Sequence, residues 1–145
     1  MNNKQTSTLY SNSLEIDNLL ISKLDNMPFS EMGTRRICLH KDQHSPLHVM
    51  LVETKFGEIY KKHRHTDSDE ITIIISGELD VRIWTEENNA NFYTTYKLNQ
   101  NNSKALFIKK DMWHQTIGAI PNTKYLEIKL GPFNPNAMQK YSEYI

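Results

Sequence analysis

From His48 onward the chain is a series of short β-type runs, each closed by turn residues, with no amphipathic helix between them. HVMLVETK ends near Gly57 and EIYKKHRH follows; ITIIIS stops at Gly77, and ELDVRIWTE runs into the turn ENNAN. FYTTYKL gives way to NQNNS, ALFIK to a turn at Lys110-Asp111, and TKYLEIKL to GPFNPN. Strands of about six to eight residues at this spacing predict an all-β antiparallel sandwich or barrel. Ahead of them, SNSLEIDNLLISKLDNMP reads as one short helix. Leu14, Leu19, Leu20 and Leu24 fall on one face, Ser13 is the expected N-cap and Pro28 lies beyond the end. The stretch FSEMGTRRICLHKDQHSP has no clear period and is expected to be irregular.

The expected organisation is an N-terminal helix and flap over 1–46, a barrel over 47–136, and a C-terminal tail over 137–145 that is a short helix or a docked segment. At 145 residues this is the size of one domain, large enough to bury a core without staples. Lys plus Arg and Asp plus Glu cancel at 17 each, so no long-range field draws the chain to nucleic acid or an anionic membrane. The single Cys38 cannot form an internal disulfide, and MNNKQTSTLY has neither the basic nor the apolar segment of a secretory signal. Apolar runs are far too short for a membrane span. A cytoplasmic protein is expected.

Within HRHTDSDEITIIISG two imidazoles and a carboxylate stand at one end of the best apolar run. Alternation along a strand puts His63 and His65 on the same side. If the strand before TDSD pairs with the one after it, Glu70 returns close to both. His114, beside a turn in KKDMWHQTIG, is the candidate from a distant strand. Three imidazoles and one carboxylate suit one divalent transition metal, Fe, Mn, Ni or Zn, with one or two positions left for water or substrate. Without metal, the same groups can still hold a proton in the physiological range.

GEIYKKHRHTDSDEITIIISG reads G-x5-H-x-H-x4-E-x6-G, which matches the first motif of the cupin superfamily without gap or substitution. The second cupin motif, P-x-G-x-x-H-x3-N, is degraded: Lys109, Asp111 and Gly118 replace Pro, Gly and Asn, and His114 alone is kept. Asp tolerates tight-turn backbone angles, so Asp111 can still make the turn. A narrower resemblance runs through Arg36-Ile-Cys-Leu-His40, LHVMLVETKFGEIYKKHRH and WHQTIGAIPNTKYLEIKLGPFNP, with Glu127 to Phe133 its most distinctive part. The chain is similar there to the WbuC family, small cupin-fold metalloproteins encoded among genes for bacterial O-antigen and other surface polysaccharides. The resemblance implies an RmlC-like jelly-roll barrel, a metal held by His63, His65, Glu70 and His114, and a polysaccharide context. It implies no particular reaction. Members usually have Pro where this chain has Lys62.

Tyr125, Glu127 and Lys129 alternate with Leu126, Ile128 and Leu130, so one face of that strand is polar. It either meets solvent or places Glu127 and Lys129 at the barrel mouth as a catalytic acid/base pair or a substrate anchor. Arg36 and His40 are solvated or form a substrate-binding flap, with Arg36 meeting an anionic group. Strand parity sets Tyr60 opposite the ligand face and turns Trp113 outward; Cys38 is expected as a small buried residue. Ile71, Ile73 and Ile75 oppose Ile74, so both strand faces are apolar, and the outer one needs a helix or a second copy; a homodimer is favoured. The expected function is metal-assisted isomerisation or epimerisation of a sugar or sugar nucleotide. A non-catalytic sugar or carboxylate binder, an Fe(II)-dependent dioxygenase, and a structural partner of a glycosyltransferase are the other readings these residues allow.

Overall fold

The computed structural model describes residues 6–85 and 92–141. The strands are β1 (Thr8–Tyr10), β2 (Thr34–Cys38), β3 (Leu47–Thr54), β4 (His63–His65), β5 (Glu70–Ser76), β6 (Leu79–Trp84), β7 (Tyr93–Leu98), β8 (Ala105–Ile108), β9 (His114–Gly118), β10 (Thr123–Leu130) and β11 (Met138–Lys140). Among the described residues one helix, α1 (Asn18–Asp25), and a single 3-10 turn, Pro135–Ala137, complete them. Two sheets face each other, in the orders β1-β2-β3-β10-β5-β8 and β11-β4-β9-β6-β7. All pairings are antiparallel except β1 with β2. This is a two-sheet, mostly antiparallel β-sandwich of the kind the strand spacing predicts. The turn ENNAN, residues 87–91, and the end of the tail, 142–145, lie outside the described residues.

Alternation sorts each strand of the larger sheet into an inner and an outer row. Inward, Cys38, Met50, Val52, Ile74 and Tyr125 meet Leu79, Val81 and Ile83 of the opposite sheet in the barrel core. Outward, Ile37 and Leu51 pack with Leu20, Leu24 and Met27 under α1, joined by Ile75 and Leu126. The two apolar faces of ITIIIS are thus both used: Ile74 fills the barrel and Ile75 meets the helix. Farther along the outer face, Ile71 pairs with Phe107 and Leu130 with Leu47. Phe107, Leu130 and Leu47 are exposed there.

The helix differs from its expected form. Its N-cap is Asp17, whose Oδ1 accepts from Leu20 N–H at 3.0 Å, while Ser13 donates its hydroxyl to the Glu15 carbonyl at 2.8 Å. Because the helix starts four residues later than Leu14, Leu14 and Leu19 are exposed and only Leu20 and Leu24 carry the buried face. A strand forms where irregular chain was expected: Thr34–Cys38 pairs with β3 throughout. The tail, expected as a short helix or a docked segment, places β11 on β4.

The basis for β2 is a buried charge cluster. Arg35 Nε donates to Glu53 Oε2 at 2.7 Å, its Nη1 donates to the carbonyls of Asp25 and Met27, and its guanidinium lies 4.2 Å from the Phe29 ring. Lys124 Nζ reaches Asp25 Oδ1 at 3.0 Å and Glu53 Oε1 at 3.7 Å. Glu53 neutralises two cations across three adjacent strands and ties them to the end of α1. Removing one partner strands buried charge, so Glu53→Ala is expected to lower the unfolding free energy by about 3–5 kcal/mol, measured by urea denaturation.

Candidate metal centre

Strand β4 is only His63-Arg64-His65, and its two imidazoles face the barrel while Arg64 stacks outside at 4.7 Å from the Trp113 ring. The register sets His63 directly opposite His114 of β9. Their ring centroids are 4.2 Å apart; His65 lies 5.2 Å from His63 and 5.6 Å from His114. One ligand nitrogen from each of the three lies within 4.8 Å of the others. All three residues are buried.

Backbone carbonyls fix which nitrogen faces inward. His63 Nδ1–H donates to the Lys61 carbonyl at 2.8 Å and His114 Nδ1–H to the Met112 carbonyl at 2.9 Å. This tautomer leaves the Nε2 lone pairs toward the centre, the arrangement metal-bound imidazoles use. His114 Nε2 is buried with no hydrogen-bond partner among the described residues. A buried nitrogen of this kind is costly unless something fills the space between the rings. The three imidazoles can therefore hold a metal ion, and their donor chemistry fits a borderline divalent one. Glu70, at the start of β5, sets Oε2 3.0 Å from His65 Nε2, and Thr72 Oγ1 donates to its Oε1 at 3.3 Å.

The two turns of the sequence motifs hold this frame. Gly77 has φ of 78°, and a Cβ there would meet Thr123 Oγ1 at 2.5 Å, so glycine is needed on both counts. Asp111 takes φ of 68° in place of the usual glycine and donates its N–H to the His65 carbonyl at 2.8 Å. The substituted second motif thus still presents His114. Lys62, standing where proline is usual, has another anchor: its ammonium lies 4.3 Å from the Trp84 ring, 5.7 Å from Trp113 and 4.2 Å from Tyr141. Tyr141 N–H also donates to the Lys62 carbonyl at 2.9 Å, so the tail straps the ligand strand from outside. Trp113 faces away from the histidines, as parity predicts.

The rings line a cavity of about 220 Å³ that also includes Glu127, Lys129, Arg36 and His40. All eight residues singled out by sequence thus meet in one place. The polar face of β10 points into the barrel instead of to solvent, and Arg36 reaches the cavity from β2, not from an irregular flap. Tyr60 is a correction. It lines the cavity with its ring edge-on to His63 at 5.1 Å, because residues ahead of His63 are not in regular strand and parity does not extend to them. Sequence reasoning missed His48, stacked on His40 at 4.0 Å, and Tyr10, edge-on to His40 at 5.7 Å. The alternation of β3 gives His48 its inward direction; nothing in the sequence signals Tyr10.

Burial and the charge of His114 depress the His63 pKa to about 3, and burial likewise lowers that of His114. Burial opposes ionisation of Glu70, but the hydrogen bond from His65 and the surrounding histidines outweigh it and hold its pKa low. Glu127 moves the other way: burial and the Glu70 charge raise it, against Arg36 and Lys129. Burial also raises the pKa of the Cys38 thiol; Cys38 is buried, as expected, and lines the cavity too.

Comparison with known proteins agrees with the architecture. The family described as a domain of unknown function (DUF6016) matches residues 30–95. No curated protein matches the chain in sequence. Among solved structures, KdgF from Halomonas sp. superposes with a TM-score of 0.56 at 19% identity, covering 73% of this chain and 84% of that one. Oxalate decarboxylase from Bacillus subtilis gives 0.60 at 17% identity over 77% of this chain, and oxalate oxidase in complex with the substrate analogue glycolate gives 0.58 at 16% over 77%. The chain spans 29% of the oxalate decarboxylase and 56% of the oxalate oxidase. These are cupin proteins, and the likeness establishes the cupin fold.

An unfolded imidazole titrates near 6.5, whereas folded His63 does so at about 3. Between these values the unfolded chain binds a proton that the folded chain refuses, so stability present above about pH 6.5 is lost as pH falls toward the folded value. The melting temperature of chelator-treated protein is expected to fall steadily from pH 7 to pH 4, with a flatter profile in His63→Gln. Lys62→Met removes the cation from its aromatic surround and is expected to weaken Zn(II) affinity about tenfold by competitive chelator titration.

Proposed function

We propose that this protein is a cupin-fold metalloenzyme that moves a proton on a small sugar-type substrate, an isomerase or epimerase of bacterial surface-polysaccharide synthesis. The observation that carries the reading is the convergence of one ligand nitrogen each from His63, His65 and His114, in a cavity that Glu127 also lines. Glu70 joins the imidazoles as the fourth ligand, its Oε2 already beside His65 Nε2. A bound divalent ion supplies Lewis acidity toward a carbonyl or a pair of vicinal hydroxyls. Glu127 takes a proton from carbon next to the polarised oxygen and returns it, which suits a carboxyl whose pKa is raised by burial. Lys129 and Arg36 anchor the substrate, and Tyr60 and His40 shape the space around it.

Size argues for a monosaccharide. A cavity of about 220 Å³ is below the range of roughly 300–1,000 Å³ typical for drug-sized ligands, so a nucleotide attached to the sugar would lie outside the barrel. The polysaccharide context rests on the WbuC resemblance. The apolar strip of Leu47, Phe107 and Leu130 supports pairing of two copies. The single buried Cys38 fits a reducing cytoplasm, and among the described residues no helix is long and apolar enough to cross a membrane.

Elemental analysis of protein purified without added metal is expected to find about one divalent transition metal per chain, lost in the His63→Ala/His65→Ala double variant. Glu127→Gln is expected to keep the metal and lower turnover by about 10²–10⁴-fold in NMR assays of sugar isomerisation. Unchanged turnover in Glu127→Gln refutes the proton-transfer role. Metal and ligand binding without turnover in the native protein leaves the non-catalytic binder as the correct reading.

A further inference from the structure

The larger sheet carries two pairs of cations and treats them in opposite ways. Arg35 and Lys124 point outward, and both are neutralised by Glu53, with Asp25 beside them. Arg36 and Lys129, on the same strands β2 and β10, point inward to the cavity. Neither forms an ion pair among the described residues. The hydrogen bond Arg36 makes there is a long one, 3.4 Å from Nη2 to Thr34 Oγ1, and Lys129 makes none among the described residues. Acid is available on the same wall, since Glu70 and Glu127 both line the cavity. Glu70 is engaged by His65 and Thr72 instead, although it stands opposite Lys129 in the strand register.

The charge balance of the wall makes this arrangement directional. Its two cations and two carboxylates cancel formally, so a divalent ion among the histidines leaves the enclosed space with two positive charges. Charge in a confined, low-dielectric site is costly until an opposite charge enters. A guanidinium offers a planar fork that matches a carboxylate, and an ammonium adds a second, adaptable donor. The cavity volume of about 220 Å³ admits an acid of monosaccharide size or smaller.

We infer that the substrate is a small hydroxy or oxo acid whose carboxylate is received by Arg36 and Lys129, with its oxygen functions turned toward the three histidines. This rests on the metal-centre reading above and specifies the class of molecule that enters it.

The test is calorimetric titration of the metal-loaded full chain with glycolate against ethylene glycol and with D-glucuronate against D-glucose. At least one acid is expected to bind about tenfold or more tightly than its neutral counterpart. Arg36→Gln and Lys129→Met are each expected to lose about tenfold of that affinity, with metal content unchanged by elemental analysis, while Lys129→Arg retains it. Circular dichroism melts confirm that the variants fold. The inference is overturned if neither acid outbinds its neutral counterpart, if both charge-removing variants keep the preference, or if inorganic phosphate binds more tightly than either acid. An acid preference in protein that takes up no Zn(II), by elemental analysis after loading, supports the carboxylate assignment and sinks the metal-centre reading; bound metal without acid preference does the reverse.

Discussion

The candidate centre rests on a single cross-strand pair. His63 of β4 meets His114 of β9 at the one register position where those two strands pair. Separate contacts around that pair fix the imidazoles. Carbonyls of Lys61 and Met112 set the tautomers. Asp111 N–H holds the His65 carbonyl, and β11 closes the other edge of β4. A strand of three residues has little pairing of its own, so its order comes from its neighbours. The aromatic enclosure of Lys62 belongs to the same account. Where a proline would restrict the backbone by its ring, this chain restricts it by a buried cation between three rings.

The second constraint is alternation, which lets one strand serve two environments. In β10 the side chains of Leu126 and Ile128 cover the outer face, and those of Tyr125, Glu127 and Lys129 reach the interior. The interior therefore changes character along its length. Near Tyr125 it is a packed core, with the tyrosine hydroxyl bonded to Thr54 Oγ1 at 2.8 Å. Near Glu127 and Lys129 it opens into the polar cavity. A one-residue slip of this strand would exchange the two faces, so register alone decides whether these residues meet the histidines or solvent.

Much of this was legible in the sequence, and the reasons differ by residue. His63, His65, Glu70 and Gly77 lie on or beside short contiguous strands, where spacing converts directly to direction. The polar row of β10 was visible as a pattern, but its destination was not, since an amphipathic strand does not state which face is inside. TRRIC was not recognised as strand because two adjacent arginines look solvated. Only the fold brings Glu53 and the carbonyls of Asp25 and Met27 to Arg35. Tyr60 failed for a local reason: the chain before His63 is not extended in strand, so alternation gives the wrong side. The helix start was missed because both Ser13 and Asp17 are good caps, and the choice depends on where Leu20 and Leu24 find the sheet.

Two carboxyls in one small cavity invite repulsion, and the structure resolves it by making their surroundings unlike. Glu70 touches an imidazole and a hydroxyl, which reward its ionised form. Glu127 has no such partner among the described residues, and the charge on Glu70 discourages a second one. Groups whose environments drive their pKa values apart take on different tasks. The ionised Glu70 is suited to hold a cation permanently. The easily protonated Glu127, lining the same cavity as the histidines, is suited to exchange a proton with whatever enters it. If the two environments were alike, the carboxyls would share a proton between them and neither would be set apart for its own task. The asymmetry follows from one placement: the β5 carboxyl lies within hydrogen-bonding distance of β4, and the β10 carboxyl does not.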